Sequence, residues 1–271
     1  MRTSAQIFLL VVLVLSFAVS TFAQESLWIE LNNKLSMLFY QSRYAEAATV
    51  GEEALTVAEK TFGHNHPNVA QSMNNLAEVY RAQGKYAEAE PLFKRSHAIV
   101  EKALGSEHPY VATSLNNLAL LYQAQGKYAE AEPLFKRALA INEKTLGKDH
   151  PEVAMDLNNL AELYRIQGKY AEAEPLYQRI LKIRENGLWP DHPGVAQSLN
   201  NLALLYEVQG KYSEAEALYK RALKIVEKAL GKDHPHVATI CENMAGLYRQ
   251  IGKEDEAEEF EERARRIRSK Q

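Results

Sequence analysis

The apolar residues of this chain recur at the spacing of helix faces, and each face is followed by a glycine and a second face. The segment between Pro109 and Gly147 shows the pattern, with Gly126 between the two faces. Apolar side chains at steps of three and four residues lie on one side of a helix. The first face is formed by Val111, Leu115, Leu118, Ala119 and Tyr122, and the second by Tyr128, Ala131, Phe135, Ala138 and Ile141. The segment is therefore predicted to be an antiparallel pair of helices, which we name A and B.

The ends of these two helices have their own sequence signals. Pro109 suits the first turn of helix A, where its missing N–H costs no hydrogen bond, and Glu107 or His108 can cap the helix. Gly147 follows the last apolar residue of helix B and is expected to be a left-handed C-cap.

The same helix pair recurs along the chain at one fixed interval. Each copy begins at the dipeptide His-Pro, found at His66-Pro67, His108-Pro109, His150-Pro151, His192-Pro193 and His234-Pro235. The glycine between the faces recurs as Gly84, Gly126, Gly168, Gly210 and Gly252, and a more divergent first copy has Ser42 there. A fixed period of this length predicts a solenoid, in which each helical hairpin buries its apolar face against its neighbours. We expect one all-α repeat region over residues 24–271, without a separate catalytic domain, with hairpins at about residues 25–63, 67–105, 109–147, 151–189, 193–231 and 235–270.

The residues at the helix contacts resemble the tetratricopeptide repeat. The resemblance is carried by Leu118-Ala119, Tyr122, Gly126, Tyr128, Ala131, Phe135 and Ala138. The long period, from His66 to His108 and onwards, and the recurring "HP-VA" and "QGKY-EAEPL" are similar to the repeats of kinesin light chains and their bacterial relatives. The resemblance implies a right-handed superhelical solenoid of six antiparallel hairpins. It does not extend to motor transport, because no heptad coiled coil precedes the repeats.

Residues 1–23 differ from the rest of the chain and predict an export signal. Arg2 precedes an apolar run from Ile7 to Val19, and Thr21-Phe22-Ala23 offers small residues before a cut. This is the layout of a secretory signal peptide, which we expect to be cleaved after Ala23. The alternative is an uncleaved anchor that leaves the chain on the membrane. Export to the periplasm and export to the outside remain equally open.

Charge and cysteine content exclude several function classes. Without residues 1–23 the chain has 31 basic and 35 acidic side chains, with the two signs interspersed. It therefore lacks the basic stripe that nucleic-acid binding requires, and it has no basic amphipathic helix for a membrane surface. The single cysteine, Cys241, stands where other repeats have leucine and is expected to be a core residue without a disulfide.

Candidate binding residues follow from the resemblance, which implies that the A helices line a concave groove for extended peptides. The asparagines expected to hold the peptide backbone are Asn33, Asn75, Asn117, Asn159, Asn201 and Asn243. An amide can both donate to a carbonyl and accept from an N–H. The alternative is that these asparagines bind the neighbouring repeat and hold the stack together.

Positions three and six residues after the asparagines vary and are expected to set specificity. Their pattern repeats with every second hairpin, so that Glu and Arg in one hairpin are followed by Leu and Gln or Glu in the next. The candidates for contact with a ligand are Arg81, Leu120, Arg165, Leu204 and Arg249. Glu78 and Arg81 are three residues apart on one helix, so part of their charge is expected to be neutralised internally.

We expect an exported, non-catalytic scaffold that binds a protein or peptide partner. No catalytic residue, cofactor or metal ligand is predicted, because the His-Pro histidines occur once per hairpin and do not converge on one point. The alternative is a structural spacer or a self-assembling module. We expect a monomer, in which Trp28 and Leu31 of the first hairpin pack inward, and a homodimer through that hairpin is the alternative. Trp189 is expected to cover the fourth hairpin junction, or else to anchor a partner.

Overall fold

The computed structural model describes residues 22–270, and these residues contain helices and no strands. The first helix, α1, covers residues 22–40. The others are α2 (Tyr44–Phe62), α3 (Pro67–Ala82), α4 (Tyr86–Leu104), α5 (Pro109–Ala124), α6 (Tyr128–Leu146), α7 (Pro151–Ile166), α8 (Tyr170–Gly187), α9 (Pro193–Val208), α10 (Tyr212–Leu230), α11 (Pro235–Gln250) and α12 (Glu254–Arg268). Odd-numbered helices are the A helices and even-numbered ones the B helices of hairpins one to six. The predicted all-α repeat fold is confirmed.

Each A helix from α3 onwards begins at the dipeptide His-Pro. The proline takes the first helical position, and the histidine before it is the N-cap. In α5 the Nδ1 atom of His108 accepts a hydrogen bond from the backbone N–H of Tyr110 at 3.2 Å. An imidazole thus satisfies one of the free N–H groups of the first turn, a task for which Ser, Thr, Asp or Asn is more usual. The repeated histidine is therefore explained by helix capping.

The A helices end in Schellman motifs. In α3 the N–H of Lys85 bonds the carbonyl of Tyr80 at 2.8 Å, and the N–H of Gly84 bonds the carbonyl of Arg81 at 3.0 Å. The residue that donates the second of these bonds must be left-handed, and Gly84 meets this requirement with φ of 73°. The glycine that separates the two predicted helix faces is thus required by the backbone.

The glycines that follow four of the B helices have positive φ angles. Gly147 has a positive φ of 93°, as a left-handed C-cap requires. Its equivalents Gly63, Gly105 and Gly231, however, combine positive φ with ψ between 155° and 158°. This region is essentially restricted to glycine and lies outside the left-handed helical region. Glycine suits these three positions because the chain turns there into an extended segment before the next His-Pro.

At the end of α1, Ser42 occupies the position that glycine has in the other Schellman motifs. Its φ is 58°, and among residues 22–270 no other residue except glycine has a positive φ. Replacing Ser42 by glycine is expected to raise the free energy of unfolding by about 0.5–1 kcal/mol, because the Cβ clash disappears at some cost in unfolded-state entropy. Urea unfolding of the purified chain measures the change. Gly84→Ser introduces the same strain into α3 and should lower stability. An unchanged or lower stability of Ser42→Gly would show that the turn is relaxed.

The helices pack in two compact units, one ending at Ile141 and one beginning at Asn142. Within each unit an A helix packs on its own B helix, and that B helix packs on the A helix of the following hairpin. In the second unit the core includes Leu199, Tyr219 and Cys241, all of them fully buried. Cys241 is a buried free thiol, as expected, and burial raises its pKa to about 11. Leucine, alanine and aromatic side chains thus form a continuous core between hairpins within each unit.

Each junction between hairpins carries a different pair of side chains in its buried part. Trp28 Nε1 donates to Ser72 Oγ at 2.7 Å, and His97 Nδ1 bonds Ser114 Oγ at 2.8 Å. Asn142 Nδ2 donates to Asp156 Oδ2 at 2.7 Å, and Arg184 Nη1 donates to Ser198 Oγ at 3.0 Å. At the last junction Val226 and Ile240 lie together in the apolar core. Almost identical repeats are therefore joined by distinct contacts.

The first hairpin turns its large apolar residues inward. Trp28, Leu31, Leu35 and Leu38 are buried, and Trp28 packs edge-on against Phe62 at a ring distance of 5.4 Å. At the other end α12 buries Ala257, Ala264 and Ile267 and presents charged side chains outward, as a polar cap does.

The predicted export signal falls almost entirely on residues 1–21, which lie outside the described residues. From residue 22 to residue 270, no helix combines the length and the apolar character that crossing a membrane requires.

Candidate functional site

The A helices share one surface, here called the A-face, made of the asparagine doublets and the residues three and six positions after them. Asparagines of successive A helices are hydrogen-bonded to each other across this face. In four hairpins the asparagine at the second position, which follows Glu242 in hairpin six, donates Nδ2 to the Oδ1 of the first asparagine of the preceding hairpin. The bonds are Asn75 to Asn32 (2.9 Å), Asn117 to Asn74 (2.8 Å), Asn201 to Asn158 (3.1 Å) and Asn243 to Asn200 (2.8 Å).

This asparagine ladder gives four of the predicted peptide-binding asparagines a structural role. Each rung uses one N–H of the second asparagine, whose amide has a further N–H and an acceptor oxygen. The side chains of Asn75, Asn117, Asn159, Asn201 and Asn243 are half-buried, and Asn33 is exposed. Stacking and ligand contact are therefore compatible. The sequence interpretation missed the first asparagines, although the recurrence of the doublet was a signal for them.

The predicted arginines of the A-face all form ion pairs. Arg81 pairs with Glu78 at 2.6 Å, and Arg165 pairs with Glu162 at 2.6 Å, as their spacing suggested. Arg249 instead binds Glu261 of α12 and lies 3.9 Å from Glu254. An acidic ligand group would have to compete with these carboxylates, which weakens the predicted role of the arginines.

The two predicted apolar contacts, Leu120 and Leu204, are half-buried. Leu204 packs with part of its surface against the core of the second unit. Each leucine therefore keeps part of its side chain available to a ligand.

Open clefts lie between successive A helices at two equivalent places. One cleft, of about 430 Å³, lies between hairpins two and three and is lined by Gln71, Asn74, Tyr110 and Thr113. The other, of about 390 Å³, lies between hairpins five and six and is lined by Gln197, Asn200, His236 and Thr239. Both combine amide and hydroxyl groups with apolar walls.

One carboxylate of the A-face has an unusual environment. Glu207 accepts hydrogen bonds from the hydroxyl of Tyr219 at 2.9 Å and from Nε2 of Gln250 at 2.8 Å. Burial raises the pKa of Glu207, because no positive charge compensates for the loss of water. The sequence placed Glu207 among the variable positions of the groove, but it was not a candidate for ligand contact.

A second set of contacts lies where the A and B helices turn. Glu90 of α4 accepts hydrogen bonds from Lys94 at 2.6 Å and, in the next hairpin, from Gln125 and Lys127. These bonds, led by that of Lys94, lower the pKa of Glu90 to about 2. Glu174 makes the same contacts with Gln209 and Lys211 in the second unit. The recurring Gln-Gly-Lys of the turn thus clamps each of these hairpins to the one before it.

The B helices carry a third set, a ladder of ion pairs between successive hairpins. Its rungs are Arg95 with Glu59, Arg137 with Glu101, Arg179 with Glu143, Arg221 with Glu185 and Arg263 with Glu227. Such exposed pairs contribute little energy singly but act as a network along the stack. The B-helix surface is therefore largely committed to stacking, which leaves the A-face as the surface with variable side chains.

The remaining candidates have local roles. The five His-Pro histidines cap their own helices, and no cluster of three or more metal-binding side chains occurs among residues 22–270. Trp189 is 63% exposed and packs edge-on against His192 at 4.5 Å. Most of its indole surface thus faces solvent at the fourth junction.

The repeats match a known protein family and the repeats of solved structures. The family model for the tetratricopeptide repeat matches residues 30–102, 73–144, 110–186 and 188–270. Among solved structures, a Podosopora anserina protein described as a putative kinesin light chain with nearly identical TPR-like repeats is 31% identical. The alignment covers 74% of this chain and 95% of that chain, with a TM-score of 0.65. No curated protein matches the chain.

Two other structures share the fold at lower identity. BtubC (BKLC) from P. vanneervenii is 24% identical, with 84% of this chain and 91% of that chain covered and a TM-score of 0.70. PilF of Pseudomonas aeruginosa is 17% identical, with 88% and 90% covered and a TM-score of 0.59. The predicted similarity to tetratricopeptide repeats of the kinesin light chain type is confirmed.

Proposed function

Because the chain belongs to the tetratricopeptide repeat family, whose repeats are protein–protein interaction modules and typically non-catalytic scaffolds, we propose that it is an exported scaffold that binds an extended peptide segment on its A-face. The asparagine ladder carries the proposal. It sets amide groups at regular intervals along successive A helices, and such a row can bind a peptide backbone without regard to its sequence.

The variable residues of the A-face supply selectivity. Leu120 and Leu204 offer half-buried apolar contacts, while the arginines are already paired with carboxylates. We therefore assign the main ligand contacts to the asparagines and leucines, and a smaller part to Arg81, Arg165 and Arg249. In this proposal the interaction takes place outside the cytoplasm, because residues 1–23 have the layout of an export signal.

Two double variants separate ligand binding from stacking. Asn117→Ala with Asn201→Ala removes the second asparagines, and Asn74→Ala with Asn158→Ala removes their partners. Both variants break the same two rungs. In both, the free energy of unfolding should therefore fall by about 1 kcal/mol per rung. For linear peptides selected from a displayed random library on the wild-type chain, the first variant should lose affinity by about tenfold or more. The second variant should lose less affinity, because it keeps the amides of Asn117 and Asn201.

The outcomes distinguish the two roles of the asparagines. Equal loss of affinity in both variants would assign the asparagines to stacking alone. If the library yields no binding peptide, the chain is a spacer or a self-assembling module, and light scattering then tells these two apart by the presence of a dimer.

A further inference from the structure

Hairpins four and five bring a carboxylate to the same buried tyrosine position. In hairpin four the hydroxyl of Tyr177 donates to Glu162 at 3.0 Å. In hairpin five the hydroxyl of Tyr219, at the same repeat position, donates to Glu207 at 2.9 Å. Hairpins two and three have Phe93 and Phe135 at this position and lack the hydroxyl.

The two carboxylates differ in charge compensation. Arg165 donates from two nitrogen atoms to Glu162, at 2.6 and 2.8 Å, and neutralises it. Glu207 stands at the repeat position of Arg165 itself, so hairpin five has the carboxylate without the arginine. Its two hydrogen-bond donors, Tyr219 and Gln250, are both neutral.

Two cations of the second unit form ion pairs with other carboxylates. Lys211 pairs with Glu174, and Arg249 pairs with Glu261. A carboxylate has about four acceptor positions, and the two neutral donors leave room for further hydrogen bonds. The raised pKa of Glu207 agrees with a charge that lacks a counter-ion.

Space for a counter-ion exists beside Glu207. Gly246 of α11 stands at the repeat position that Glu162 and Leu204 occupy in the two preceding A helices. A Cβ atom added to Gly246 would meet only Oε1 of Glu207, at 3.9 Å. The missing side chain therefore opens the A-face next to the carboxylate.

We propose that Glu207, held by Tyr219 and Gln250 and opened by Gly246, is a subsite for one lysine or arginine side chain of a bound peptide. The subsite rests on the proposed peptide-binding function. The ligand cation takes the place that Arg165 has beside Glu162, and its methylene groups pack on the exposed part of Leu204.

The subsite is tested with a small probe that needs no peptide. Acetyl-arginine amide is titrated into the isotope-labelled chain, and the NMR signal of the Gln250 side-chain amide is followed. We expect saturable shifts in the wild type and binding at least tenfold weaker in Glu207→Gln. Gly246→Leu fills the space without changing a charge and should weaken binding equally. Acetyl-leucine amide should cause no comparable shift.

Absence of a shift in the wild type, or equal binding by Glu207→Gln, overturns the subsite. Peptide selection then addresses the two proposals separately. Peptides are selected separately on the wild type and on Glu207→Gln. If both sets contain basic residues equally often, the subsite is refuted and the peptide-binding function stands. Probe binding at Glu207 without any selected peptide keeps the cation site and removes the peptide-binding function.

Discussion

Replacing Leu199 by alanine is expected to lower the free energy of unfolding by about 2–5 kcal/mol. Leu199 of α9 is fully buried in the core of the second unit. Truncation removes apolar burial and leaves a cavity that packed helices on both sides cannot fill. Urea unfolding followed by circular dichroism measures the loss.

The effect of Leu199→Ala should also be local along the chain. Each hairpin contacts only its neighbours within its unit, so the second unit should lose hydrogen-exchange protection before the first. Val208→Ala is the matched control, because Val208 ends the same helix and is 48% exposed. Its effect should remain within about 0.5 kcal/mol. A single cooperative transition with uniform loss of protection would contradict the nearest-neighbour description.

Replacing Asn142 by valine is expected to cost about 1.5–3 kcal/mol. Asn142 and Asp156 are both buried, and the bond between them is 2.7 Å long. Valine is the residue at the equivalent positions Val100 and Val226, so it fits the helix. The cost arises because the buried carboxyl of Asp156 loses a hydrogen-bond donor.

A double variant tests this explanation with the protein's own template. Asn142→Val with Asp156→Ile copies the apolar pair Val226 and Ile240 of the last junction. The double variant should recover stability to within about 1 kcal/mol of the wild type, since both polar groups are gone. Thermal and urea unfolding of the wild type, the two single variants and the double variant give the coupling energy between residues 142 and 156. Additive losses would place the cost in packing and not in the hydrogen bond.

Local sequence signals predicted the helices and their ends well. The fixed interval between His-Pro dipeptides located the helix pairs. Within each pair, the apolar spacing and the glycine predicted the two helices, because both signals act inside one hairpin. His108 as a cap and Gly84 at a helix end are also local features. The ψ angles of Gly63, Gly105 and Gly231 could not be predicted locally, because they depend on where the chain must go next, towards the following His-Pro.

The surface was harder to predict than the fold. The second asparagines were predicted to contact a ligand or the neighbouring repeat. Their bonds to Asn74 or Asn158 join residues of different hairpins, so the sequence of one repeat does not show which partner is chosen. Glu207 stands at one of the positions predicted to vary, but its contacts could not be predicted, for the same reason. Its environment depends on Tyr219, Gln250 and the absence of a side chain at Gly246, which no single repeat displays.

The distinct side-chain pairs at the hairpin junctions bear on how a chain of near-copies avoids folding out of register. If hairpin five were looped out, the B helix of hairpin four would meet the A helix of hairpin six. Arg184 would then face Ile240 in place of Ser198 and bury its guanidinium without an acceptor, which costs several kcal/mol. The polar residues that interrupt the repeat thus make each junction specific for its own pair of hairpins. The correct order of the hairpins is the arrangement in which every junction pair is satisfied.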